Sequence, residues 1–210
     1  MNYQNAKKGI GQIYKAELLT IIATIIGIIG AIVFLAAGEK GSEGGMAAGG
    51  IPILIAGIMF IIAFIINLVG LSNASKDEPY FKTAWIIALI AIAASVVQSI
   101  LDMRGIKVEW LFELISNICE IMIMIFVITG IGKIADQLGK KKVSRLSRST
   151  MNVTCGVYIL SAIVTLIGGL FEAKAMTTVA SVIAIIAGIL SIIAYVYYLR
   201  TLSQGSQMFD

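Results

Sequence analysis

Six long, almost unbroken apolar runs divide this chain, at residues 18–37, 51–71, 84–101, 110–131, 153–171 and 177–199. A helix needs roughly 20 mostly apolar residues to cross the ~30 Å hydrocarbon core of a bilayer, and each run meets or approaches that length. Many of the runs are rich in Ile and Val, which in water favour strands. In lipid that preference is overridden, because a lone strand leaves its backbone groups unpaired whereas a helix satisfies its own. The runs are continuously apolar rather than alternating, which excludes a transmembrane barrel. The fold class expected is therefore an all-α integral membrane protein with six transmembrane helices. Of the 210 residues, 59% are hydrophobic and 13% charged, against about a quarter charged in a typical soluble domain. A domain of this size has no interior large enough to hide so many apolar side chains.

Orientation follows from the basic residues in the connections. Twelve fall on one side: Lys7, Lys8 and Lys15, then Lys76 and Lys82, the six from Lys133 to Arg148, and Arg200. Four fall on the other: Lys40, Arg104, Lys107 and Lys174. This asymmetry places both termini in the cytoplasm, with the plasma (inner) membrane as the expected location. The first run has small residues at its end, as a signal peptide would, but it is longer than a typical signal core and is expected to be a retained anchor. The organisation expected is a cytoplasmic amphipathic segment at 1–17, one transmembrane domain at 18–199 and a cytoplasmic tail at 200–210.

Three helical hairpins follow one another, and related strings punctuate their ends. Gly9-Ile10-Gly11 precedes the first and Gly130-Ile131-Gly132 the third; Leu71-Ser72 follows the first and Leu202-Ser203 the third. Gly9 and Gly70 are 61 residues apart, Gly70 and Gly130 are 60 apart. The reading is a decayed two-helix unit used three times. Small residues also recur every fourth position: Ala23, Gly27 and Ala31, then Ala180, Ala184 and Gly188, with Gly45 and Gly49 leading into the second run. Such rows let helices approach closely in lipid, either within one chain or in a homo-oligomer or a complex with a membrane partner subunit.

Two basic segments look amphipathic. Before the first run, Tyr3, Ile10, Ile13, Tyr14 and Leu18 share a face between the lysines. Between the fourth and fifth runs stand Lys140, Lys141, Lys142, Arg145 and Arg148. Both suit helices at headgroup level, where anionic lipid attracts basic side chains; this explains the charge without a nucleic-acid partner.

The fourth run carries the informative chemistry. Glu109, Glu113, Ser116 or Asn117, and Glu120 are spaced by three or four residues and share one helix face. Glu120 lies ten residues beyond Trp110, about 15 Å at 1.5 Å per residue, and so near mid-bilayer. A carboxylate there costs roughly 2.5–3.5 kcal/mol on insertion scales, and no Lys or Arg stands at matching depth. It must be protonated, bind a cation or face a water-filled cavity. Asn117, Thr24, Ser161 and Ser191 are at suitable depth to partner it. Ser95, Gln98, Ser99 and Asp102 make a second polar face on the third run, and Thr154, Tyr158, Ser161 and Thr165 a third face on the fifth.

These features point to a ligand- or ion-binding set of Glu120, Asn117, Glu113 and Gln98, in a transporter or substrate-binding membrane subunit for a small polar or cationic solute. The alternative is a non-catalytic scaffold or accessory subunit acting through helix packing and lipid contact. Catalysis is not expected. The chain has no histidine and two cysteines, Cys119 and Cys155, which removes the usual triads and zinc sites. No cofactor or metal is implied.

Overall fold

The computed structural model describes residues 3–39, 43–106, 108–170 and 177–209, apart from the side chains of 39, 43, 109, 110, 113, 161–170, 177–185 and 187. Six helices account for almost all of it: α1 Gln4–Glu39, α2 Glu43–Ala74, α3 Pro79–Met103, α4 Glu109–Gln137, α5 Lys141–Leu170 and α6 Thr177–Gln207. Among the described residues, four are long and apolar enough to cross a membrane: Gln4–Gly38, Gly44–Ala74, Pro79–Met103 and Leu114–Gln137.

The distribution of side chains says what surrounds them. On α1 and α2 the most exposed residues include Ile32 at 62%, Leu35 at 66%, Leu54 at 70% and Ile61 at 62%. The residues turned inward at the same levels are small, among them Ala23, Ala56 and Ala63. Large apolar side chains outside and small ones between helices invert the order of a soluble bundle. They suit lipid, where helices gain by close van der Waals contact rather than by hiding apolar area from water. The chain has the make-up of a membrane protein.

Stops are local. Gly105 (φ 74°) and Gly139 (φ 68°) adopt the left-handed conformation just past the ends of α3 and α4. The next amide in each case reaches back to a carbonyl five residues earlier, Ile106 N to Leu101 O at 3.1 Å and Lys140 N to Ala135 O at 2.8 Å. This is the glycine-dependent C-cap that satisfies a helix's last carbonyls. Glu78, extended at φ −142°, precedes Pro79 in the first turn of α3, where a missing N–H costs nothing.

Each helix packs against its neighbours in the chain, and α1 also packs against α6, so the six close into a ring in which α4 also touches α6. The α1–α2 pair is the tightest. A Cβ on Gly9 would lie 2.5 Å from Gly70 O and from Ala74 N, and one on Gly30 would lie 2.9 Å from Gly49 O. Of the small-residue rows of the first two runs, Ala23 is buried, and Cβ atoms on Gly27 and Gly49 would meet Ala56 and Phe34, so these members are used within the chain. Gly188 has nothing near it, and the side chains of Ala180 and Ala184 lie outside the described residues.

The buried core sits at the end of the bundle that holds both chain ends. Tyr3, Ile10, Ile13, Leu71, Phe81, Ile131, Leu202 and Met208 belong to one buried cluster. The α2–α3 connection joins it through Asp77, whose Oδ2 accepts from Ala6 N at 2.7 Å and caps the start of α1. The α4–α5 connection joins it at Gln137, which accepts from the Tyr3 hydroxyl.

Three differences from the sequence reading have physical causes. The segment before the first apolar run is continuous with it as the start of α1 rather than a separate helix, and Ile10 and Ile13 are fully buried in the core. The basic stretch after Gly139 is the first two turns of α5, with Val143 buried in the same cluster. The glycine-rich residues 44–50 are helical rather than loop, because contact with α1 rewards a small-residue helix there. Pro52 therefore falls inside α2 rather than at its start.

Candidate ligand-binding cavity

The even-numbered helices repeat one spacing along a single face each. On α2, Phe60, Phe64, Asn67 and Leu71 follow the i, i+4, i+7, i+11 spacing of one helical face. Glu120, Met124, Val127 and Ile131 repeat it on α4, and Ser191, Tyr195, Tyr198 and Leu202 on α6. In the layer nearest the chain ends, Leu71 is 1% exposed, and Ile131 and Leu202 are fully buried. Above that floor the side chains part around a cavity of about 430 Å³, lined from α1, α2, α3, α4 and α6.

Two carboxylates reach this cavity. Glu120 lines it together with Ser116, one turn away. Glu120 also lines a second cavity of about 300 Å³ with Tyr158, Ser191 and Tyr195, between α4, α5 and α6. It is exposed to these spaces, and no described residue hydrogen-bonds to it or pairs with it. The second carboxylate, Glu17 of α1, is held firmly. Tyr195 donates to its Oε2 at 2.6 Å, and Asn67 Nδ2 donates to its Oε1 at 3.3 Å. Three helices thereby converge on one acid. Among the described residues, no Lys or Arg lines either cavity.

Other residues of interest are dispersed. Asn117 is exposed and Gln98 half-buried, and neither lines the two cavities with Glu120. The Glu109, Glu113, Ser161 and Thr165 side chains lie outside the described residues. Ser95 and Ser99 meet Ser116 in a groove between α2, α3 and α4, although both hydroxyls donate to carbonyls of their own helix at 3.0 Å. Thr24 likewise donates to Thr20 O. Thr154 is fully buried with an unpartnered hydroxyl.

Lys140, just before α5, and Lys141, Lys142, Arg145 and Arg148 on its first turns are exposed. Arg148 pairs with Asp136 at 3.1 Å. Nearby, Lys133 pairs with the buried Glu78 at 3.4 Å and lies 5.1 Å from the centre of the Tyr80 ring.

Sequence reasoning missed Glu17, Asn67, Tyr195 and Tyr198. A signal for Glu17 was present. It continues the face of Ile10 and Ile13, three and four residues apart, and not the face of Lys7, Lys8 and Lys15. No other acidic residue stands between Met1 and Gly38.

Among the described residues no group of three or more His, Cys, Asp or Glu comes together to hold a metal ion. No family model, curated protein or solved structure matches the chain.

Proposed function

We propose that the protein is a six-span transporter or substrate-binding membrane subunit that takes a small polar or cationic solute into its central cavity. The observation that carries this reading is Glu120: a carboxylate without a bonding partner among the described residues, on the wall of two cavities, inside a bundle whose outer surface is apolar. Such a group is costly in a membrane and marks a functional site by default.

The finer architecture belongs to the same proposal. All six helices cross the bilayer as three related hairpins, with both ends in the cytoplasm of the inner membrane. The equivalence of the hairpins is supported by contacts at matching positions. Gly9 meets Gly70 in the first, Phe81 meets Gly130 in the second, and Thr150 meets Thr201 at 2.7 Å in the third. Ser75 Oγ donates to Ser72 O, and Ser206 Oγ to Ser203 O, both at 2.8 Å. The exposed basic residues of α5 are the proposed contact for anionic lipid headgroups.

The scaffold reading is weaker, because the small-residue rows of α1 and α2 that would have joined subunits pack against each other. Solute uptake into proteoliposomes tests the choice. Glu120→Gln is expected to abolish uptake and its dependence on pH, while uptake unchanged across pH in that variant removes Glu120 from the function.

A further inference from the structure

The lining of the central cavity narrows the solute, on the premise that this cavity is the solute site. Phe60, Phe64, Tyr195 and Tyr198 give it aromatic walls. Tyr198, 3% exposed, lines the cavity, and no described residue hydrogen-bonds to its hydroxyl.

The other polar groups divide into committed and free. Both oxygens of Glu17 already accept hydrogen bonds, from Tyr195 and Asn67. Thr20 Oγ1 donates to Ala16 O at 3.0 Å. Glu120, Tyr198 and Ser116 remain. The absence of basic residues from the described lining argues against an anion. Ca²⁺ takes six or more oxygen ligands, and a bare metal ion would leave the aromatic walls without a role. A sugar would need more free polar groups than these three. A volume of about 430 Å³ stands at the lower end of small-molecule pockets, ~300–1,000 Å³.

We infer that the central cavity binds a primary or secondary organic ammonium carrying an apolar body about the size of one ring. Glu120 supplies the counter-charge. The Tyr198 hydroxyl is a further acceptor for an N–H of the ligand, and the aromatic faces hold the body and attract the cation. Glu17 is a positioning residue: its bond to Tyr195 fixes the ring that stands between the two cavities.

The test is equilibrium binding of benzylamine to the full chain in detergent micelles at pH 7, compared with methylamine and with benzyl alcohol. Benzylamine should bind at least ~10-fold more tightly than either, since charge and ring each contribute. Glu120→Gln should weaken benzylamine by ~10-fold or more and leave benzyl alcohol unchanged, whereas Tyr198→Phe should weaken benzylamine several-fold. Methylamine binding as tightly as benzylamine, with the same dependence on Glu120, overturns the apolar body but leaves the cationic solute site standing. Benzyl alcohol matching benzylamine, with Glu120→Gln silent, overturns both. Gel filtration and melting temperature establish that the variants are folded. Should Glu120→Gln aggregate, Tyr198→Phe carries the readout, and unchanged benzylamine affinity in that variant refutes the inference.

Discussion

Gly9 and Gly11 stand two residues apart on α1 and offer a matched pair. Replacing either by Ala raises helix propensity by about 1 kcal/mol. At Gly11 the added methyl meets nothing within 4 Å, so the gain is kept. At Gly9 the methyl would sit 2.5 Å from Gly70 O and Ala74 N, and ordinary contact begins at 3.4 Å. Both obstructions are backbone, so no rotamer change relieves them and α1 and α2 must separate. Overpacking of this kind costs roughly 1–3 kcal/mol. Propensity cancels in the comparison, leaving Gly9→Ala below Gly11→Ala by about that amount. For a chain of this size each kcal/mol moves a melting temperature by about 2–4 °C, so thermal unfolding in one detergent should separate the variants by several degrees. Equal melting temperatures, or a more stable Gly9→Ala, would refute the idea that backbone contact between these helices organises the hairpin.

Two further predictions concern the end of the bundle where the termini lie. Asp77→Ala removes the acceptor for Ala6 N and for Asn5 Nδ2 and should cost about 1 kcal/mol, mostly restored by Asn; hydrogen exchange at the first turn of α1 reports it, and unchanged protection there counts against the cap. Lys133→Ala strands the carboxylate of Glu78, which is 3% exposed, although Lys133 itself is 47% exposed. A loss of roughly 1–3 kcal/mol is expected, recovered in large part by adding Glu78→Gln. A double variant no more stable than the single one would show that the pair is not the cause.

Much of the helical framework was legible because lipid makes a simple demand. An apolar run of sufficient length must satisfy its own backbone, and the runs at 18–37, 51–71, 84–101 and 110–131 each lie within or substantially overlap a helix long and apolar enough to span a membrane. Helix length was less legible. Residues 44–50 carry four glycines around Met46, Ala47 and Ala48, yet they are helical, with Gly49 packed against Phe34 and Gly30 of α1, a tertiary contact that the local sequence does not reveal. Glu120 stood out because a charge inside an apolar run is conspicuous. Glu17 did not, because it borders its run beside Lys15, and the two donors that hold it come from residues 67 and 195. Convergence of three distant positions on one carboxylate follows from how the ring closes, which spacing within a single helix does not reveal. Asn117 and Gln98 show the same limit in reverse: each stands close in sequence to a cavity or groove residue, yet helix rotation turns it elsewhere.

The packed floor of Leu71, Ile131 and Leu202 has an electrical consequence. A bilayer voltage falls across whatever resists ions, and moving one elementary charge through 100 mV is worth about 2.3 kcal/mol. On the proposal that the bundle spans the membrane with its acid-lined chamber wetted, the voltage falls across these three side chains and the buried cluster beyond them, so a charge carried past does its electrical work there.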